Sequence, residues 1–177
     1  MKIIEAMKQV KELARKQDDL RGKVAQNCAH LNFETPVYAD PTATVRGWLQ
    51  SYEDISQEIV RLRVAVQRTN LATQVPISLG GTTVTKSIAE WILRRGGKDK
   101  DGQARSDYAA WSQVNDRGLK EGGLQSSVGQ AIGMEVKVVR NFDPAERDRK
   151  VDLFRGEPSA IDAALEVVNA TTDLIES

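Results

Sequence analysis

Residues 45–73 read VRGWLQSYEDISQEIVRLRVAVQRTNLAT, and this stretch decides the fold class. Its apolar residues fall at Val45, Trp48, Tyr52, Ile55, Ile59, Leu62 and Val66, with Thr69 closing the series. Steps that alternate three and four draw a heptad seam along one long helix. Asp40 can cap that helix, and Pro41 suits its first position. At 1.5 Å per residue it makes a rod of roughly 45 Å. A narrow stripe on so long a rod needs partners of similar length.

Two further stretches supply the same pattern. Upstream, Ile3, Ala6, Val10, Leu13, Gln17, Leu20, Val24, Asn27 and Leu31 keep heptad spacing, and Ile4, Met7, Ala14, Ala25 and Cys28 widen the stripe. Gln17 and Asn27 are polar residues in that seam, which either set register or lie near solvent. Near the end, Asp143-Pro144-Ala145-Glu146 is a strong helix start, followed by Val151, Phe154, Pro158, Ile161, Leu165 and Val168. Pro158 sits inside this seam, and because the register resumes in step after it, a kink is expected and not a break. The expected helices are therefore 3–28, 41–70 and 144–169.

Residues 29–40, AHLNFETPVYAD, form a loop, so the first two helices become an antiparallel hairpin. After Thr73, two short β-favouring runs flank Gly80-Gly81, which suits a tight hairpin turn. Thr83 or Thr85 is then expected to cap a short helix carrying Val84, Ile88, Trp91 and Ile92, ended by Gly96-Gly97. Residues 98–123 are charged and glycine-edged, and read as a projecting insertion with one or two helical turns around Tyr108 and Trp111. Met134 to Val139 alternates like a half-buried strand, giving β elements near 74–84 and 134–141. The reading is one mainly α domain over 1–177: a long antiparallel bundle with a small β element.

Composition narrows the function. Lys+Arg 25 against Asp+Glu 25 gives a formal net charge of zero, which disfavours nucleic acid as a partner and lowers the barrier to self-association. One cysteine, Cys28, permits no intrachain disulfide. The N-terminal pattern is not that of a signal peptide, and no apolar run reaches membrane-span length. The expected location is cytoplasmic, or within an assembled particle. His30 and Cys28 lack the companions a metal site needs, and a single His leaves no credible Ser/His/Asp set. Gly80-Gly81-Thr82-Thr83 lacks the phosphate-loop pattern. Counting from Gly102 places Tyr108 where a calcium loop requires Glu. No cofactor, metal or catalytic residue is expected.

Two features stay open as sites. The second and last long helices finish alike, with Asn70 before Thr73 and Asn169 before Thr172. If those helices run parallel, the four residues share one end of the bundle, either as a polar patch or as two ordinary helix terminators. Tyr108 and Trp111 are the candidate contact residues of the insertion.

The runs VQRTNLAT (66–73), Gly80-Gly81 before VTKSIAEWILRR (84–95), MEVKVVRNFDPAERDRKVDLF (134–154) and IDAALEVVNATTDLIE (161–176) resemble the septicolysin-like family of small bacterial proteins. The resemblance implies the same helical architecture. The family's name implies a haemolysin, but this chain has no amphipathic hairpin of membrane length and no Cys-containing, Trp-rich loop. The resulting expectation is a non-enzymatic, self-associating structural or scaffolding protein, a component of an assembly such as a phage particle, with itself and other assembly proteins as partners. An enzyme with a site between subunits is the alternative, using Asn70 and Asn169.

Overall fold

The computed structural model describes residues 1–96, 102–118 and 140–176, without the side chains of 115–118. Among these residues the chain is mainly α-helical with a small two-stranded antiparallel sheet. Its elements are α1 (Ile3–Asn27), α2 (Pro41–Ala72), β1 (Gln74–Leu79), β2 (Thr82–Ser87), α3 (Ile88–Arg95), α4 (Gln103–Gly118) and α5 (Pro144–Thr171). The expected long helices are present, each within one or two residues of its predicted bounds. The predicted strand at 134–139 lies outside the described residues. The chain groups into two compact units, 1–73 with 167–177, and 74–166.

In the first unit α1 and α2 pair as the antiparallel hairpin. Asp40 caps α2 by accepting from the Ala43 N–H at 2.9 Å, and Pro41 opens the helix. The buried layer is Ile3, Ala6, Ile59, Leu62, Ala65, Thr69 and Leu174. Beyond it the seam is thinner: α1 buries only Ile3 and Ala6, and α2 buries nothing before Ile59. Val10, Leu13, Leu20, Val24, Val45, Trp48 and Ile55 stay half-exposed. Gln17 settles its own open question here. Its Nε2 donates to Ser56 Oγ at 2.6 Å, a bond from α1 to α2 that ties the two helices in register. Asn27 instead bonds back to Lys23 O of its own helix.

In the second unit β1 and β2 pair from Gln74↔Ser87 to Leu79↔Thr82. The turn is Gly80-Gly81, with φ of 56° and 84°. Two successive positive φ values are what a two-residue hairpin turn needs, and glycine reaches them without a Cβ clash. Val75 and Ile77 point inward from β1. Trp91 is fully buried against them and donates its indole N–H to Val75 O at 2.9 Å.

Two expectations need correction here. The cap of α3 is Ser87, not Thr83 or Thr85, because the strand β2 runs through both threonines and takes Val84 with it. Ser87 Oγ accepts from the Glu90 N–H, and Glu90 accepts from the Ser87 N–H, a reciprocal capping box. Residues 103–118 form a 16-residue helix, not one or two turns. Ala104 is fully buried and Gly102 lies so close to Arg95 O that any Cβ would sit 2.4 Å from it. α4 packs on α3, so tertiary contact sustains a helix that its composition alone supports weakly.

α5 is continuous through Pro158. Its buried residues are Arg147, Val151, Glu157, Ile161 and Leu165. The slot between Phe154 and Ile161 is filled most deeply by Glu157, while Pro158 is half-buried. An acid takes this place because a cation meets it there.

Candidate functional site

The four predicted patch residues all fall in the first unit. The end of α2, the end of α5 and the start of α1 meet there through backbone bonds. Ile3 N–H donates to Thr172 O at 3.1 Å and Leu174 N–H to Met1 O at 2.8 Å. Lys2 and Asp173 pair as a β-bridge, and Lys2 Nζ reaches Asp173 Oδ2 and Thr171 O, both at 2.8 Å. The hydrogen bond and charge of Lys2 hold the Asp173 carboxyl below its ordinary value. Ile175 N–H donates to Thr69 Oγ1 at 2.9 Å, and that hydroxyl donates to Ala65 O at 2.8 Å.

Thr69, one step before Asn70, thus carries the join between the two helix ends. Thr73 acts as the C-cap of α2, its N–H donating to Thr69 O. Asn70 Oδ1 is buried and has no hydrogen-bond partner among the described residues. Asn169 and Thr172 are half-buried. This end is chiefly a clasp: it satisfies terminal carbonyls and amides of three helices with one another.

The second unit holds a charged cluster that sequence reasoning did not find. Glu157 is only 1% exposed, and Arg94 grips it through two donors, Nε to Oε1 and Nη2 to Oε2, the latter at 2.9 Å. Asp107 of α4 stands 3.6 Å from the same guanidinium. The hydrogen bond with Glu157 is the main reason Arg94 holds its proton even more firmly than usual. Beside it, Arg95 Nη1 meets Asp162 Oδ1 at 2.7 Å. The signal was present, since Arg147 and Glu157 sit at helical steps on the apolar stripe of α5, but nothing local names their partners.

An open groove of about 830 Å³ adjoins the cluster, lined among others by Ser78, Gly80, Glu146, Arg149, Lys150 and Glu157. Its charges are mixed, and its one deeply buried acid is already matched by Arg94. That arrangement braces α3, α4 and α5. The predicted contact residue Tyr108 belongs to this brace, with Arg155 over its ring at 5.8 Å. Trp111 is half-buried further along α4. His30 and Cys28 are both exposed in the first unit. Among the described residues no group of three His, Cys, Asp or Glu side chains could hold a metal ion, and no helix is long and apolar enough to cross a membrane.

No protein-family model matches the chain, and comparison with curated proteins finds no relative. Among solved structures, the chain is similar to one from Corynebacterium diphtheriae described as a functionally unknown conserved protein. The two share 21% identity over 99% of each chain, with a TM-score of 0.55. At that identity the likeness is one of fold.

Proposed function

We propose that this protein is a non-enzymatic, self-associating helical scaffold, a component of a larger assembly such as a phage particle. In this reading its resemblance to the septicolysin-like family is one of architecture and not of lytic activity. The observation that carries it is the distal half of the α1–α2 hairpin. Among the described residues, α1 beyond Ala6 and α2 before Ile59 hold a heptad seam in which no residue is fully buried. Met7 stays exposed beside it, and Ile4 and Ala14 are half-buried. A seam of this kind is stabilised by further helices, and at zero net charge a second copy meets no electrostatic obstacle.

Native mass spectrometry across a dilution series tests the reading. Oligomers that persist at micromolar concentration are expected. Leu13→Lys with Leu20→Lys should lower the oligomeric state and the stability together, whereas Ile4→Lys with Met7→Lys should affect assembly more than fold. A stable monomer with full helical content would remove the scaffold reading. Leakage from liposomes would replace it with the lytic one.

A further inference from the structure

α2 carries a second apolar strip, facing away from its seam. Leu49, Val60, Val64 and Leu71 are 48%, 60%, 39% and 67% exposed. At about 100° per residue they fall within a strip roughly 60° wide, well separated from the seam positions Ile55, Ile59, Leu62 and Val66. The strip is about 33 Å long, taking 1.5 Å for each residue from Leu49 to Leu71. It is also charged in halves. Glu53 lies on it toward the N-terminal end, and Arg63 and Arg68 flank it toward the C-terminal end. None of these three makes an ion pair or side-chain hydrogen bond among the described residues; Glu58 and Arg61, by contrast, already satisfy each other at 2.7 Å.

We infer that this strip is a two-fold interface with a second copy of the chain, the two α2 helices running antiparallel about Val60. The inference rests on the self-association proposed above and adds to the seam contact a second surface with its own geometry. Antiparallel pairing centred on Val60 sets Leu49 against Leu71 of the other copy at both ends. It also brings Glu53 beside the opposite Gln67 and Arg68. The parallel alternative stacks Glu53 on Glu53 and Arg68 on Arg68, which like charges oppose. A two-fold axis makes each contact occur twice, so the apolar pairs and the Glu53–Arg68 pairs are both doubled.

The test first measures the self-association of the wild-type chain by native mass spectrometry and sedimentation. Val60→Lys is expected to weaken the dimer by about 100-fold or more, since it places two ammonium groups at the axis. Its site is exposed, so circular dichroism should be unchanged. Glu53→Arg or Arg68→Glu alone should each weaken association about tenfold. The double exchange should restore it to within about threefold. In a Cys28→Ser background, Val60→Cys should give a disulfide-linked dimer on mild oxidation. Leu49→Cys and Leu71→Cys chains should cross-link only when mixed.

An oligomer indifferent to Val60→Lys would overturn the strip while leaving self-association standing. A wild-type monomer would overturn both. Leu49→Cys chains that link to themselves, or a double charge exchange that fails to restore association, would overturn the antiparallel geometry. A wild-type chain that captures a different protein through the strip, in place of its own copy, would overturn the inference as well.

Discussion

Removing Arg94 should harm the protein more than removing Glu157, although the two are partners in one ion pair. Glu157 is 1% exposed and the Arg94 side chain 20%. Arg94→Met keeps the aliphatic stem but takes both donors from a carboxylate that has almost no water. Stranding one member of a buried pair costs about 3–5 kcal/mol. Glu157→Met strands a guanidinium that still has solvent on one side and Asp107 at 3.6 Å. Its cost should be nearer 1–2 kcal/mol, the size expected when a partner and water remain. The double substitution, which leaves no buried charge to strand, should lie close to wild type. For a unit of this size each kcal/mol shifts Tm by about 4–8 °C, so Arg94→Met should lower it by on the order of 15 °C. The reporter is Trp91, which sits in the core of the same unit; Trp48→Phe and Trp111→Phe isolate its fluorescence during urea and thermal unfolding. Equal damage from the two single changes, or a double change equal to their sum within about 0.5 kcal/mol, would refute the reasoning.

Three further outcomes follow from the geometry. Thr69→Val should cost about 1–3 kcal/mol and speed hydrogen exchange at the Ile175 amide, because that N–H loses its acceptor in a part-buried site. Gly80→Ala should cost about 1–2 kcal/mol, since the new Cβ adopts a φ of 56° and meets Leu153 Cδ1 at 2.9 Å; Leu153→Ala in the same chain should recover only the contact portion, as urea midpoints would reveal. Asp173 should titrate below its ordinary value of 3.8 by NMR and return toward it in Lys2→Ala. Because folding lowers this pKa, the clasp's electrostatic stabilisation is complete above the unfolded value and is lost as pH falls through the folded one.

The long helices were legible because their signal is local. A 3–4 spacing over thirty residues is strong evidence, and Asp40-Pro41 and Asp143-Pro144 mark two starts by side chains within one turn. The hairpin turn was legible for the same reason, since Gly80-Gly81 between β-branched runs has few other uses. What escaped was what depends on distant partners. Glu157 reads as an ordinary solvated acid until Arg94, 63 positions away, is placed against it. α4 reads as a turn or two until it is packed on α3. Ser87 does not stand out as a cap, because Thr83 and Thr85 are equally good caps locally and only the pairing of β2 with β1 removes them. The Asn70 and Asn169 pairs were found by likeness of their ends, yet the group that joins those ends is Thr69, whose role appears only when the tail arrives.

The clasp also sets an order on synthesis. Residues 74–166 are one contiguous stretch, whereas the unit containing α1 and α2 is completed only by residues 167–177. The hydroxyl of Thr69 waits for the amide of Ile175, 106 positions later. As the chain leaves the ribosome, the helical hairpin emerges before residues 74–166 but stays open at that end. The inserted unit has all its residues available before the hairpin receives its closing segment, 167–177. A ribosome that stalls after Glu166 would therefore release a chain whose second unit is whole and whose first lacks the Leu174 plug and its bond to Thr69. Such a product should bind a hydrophobic dye and be cut first by protease within the first 73 residues.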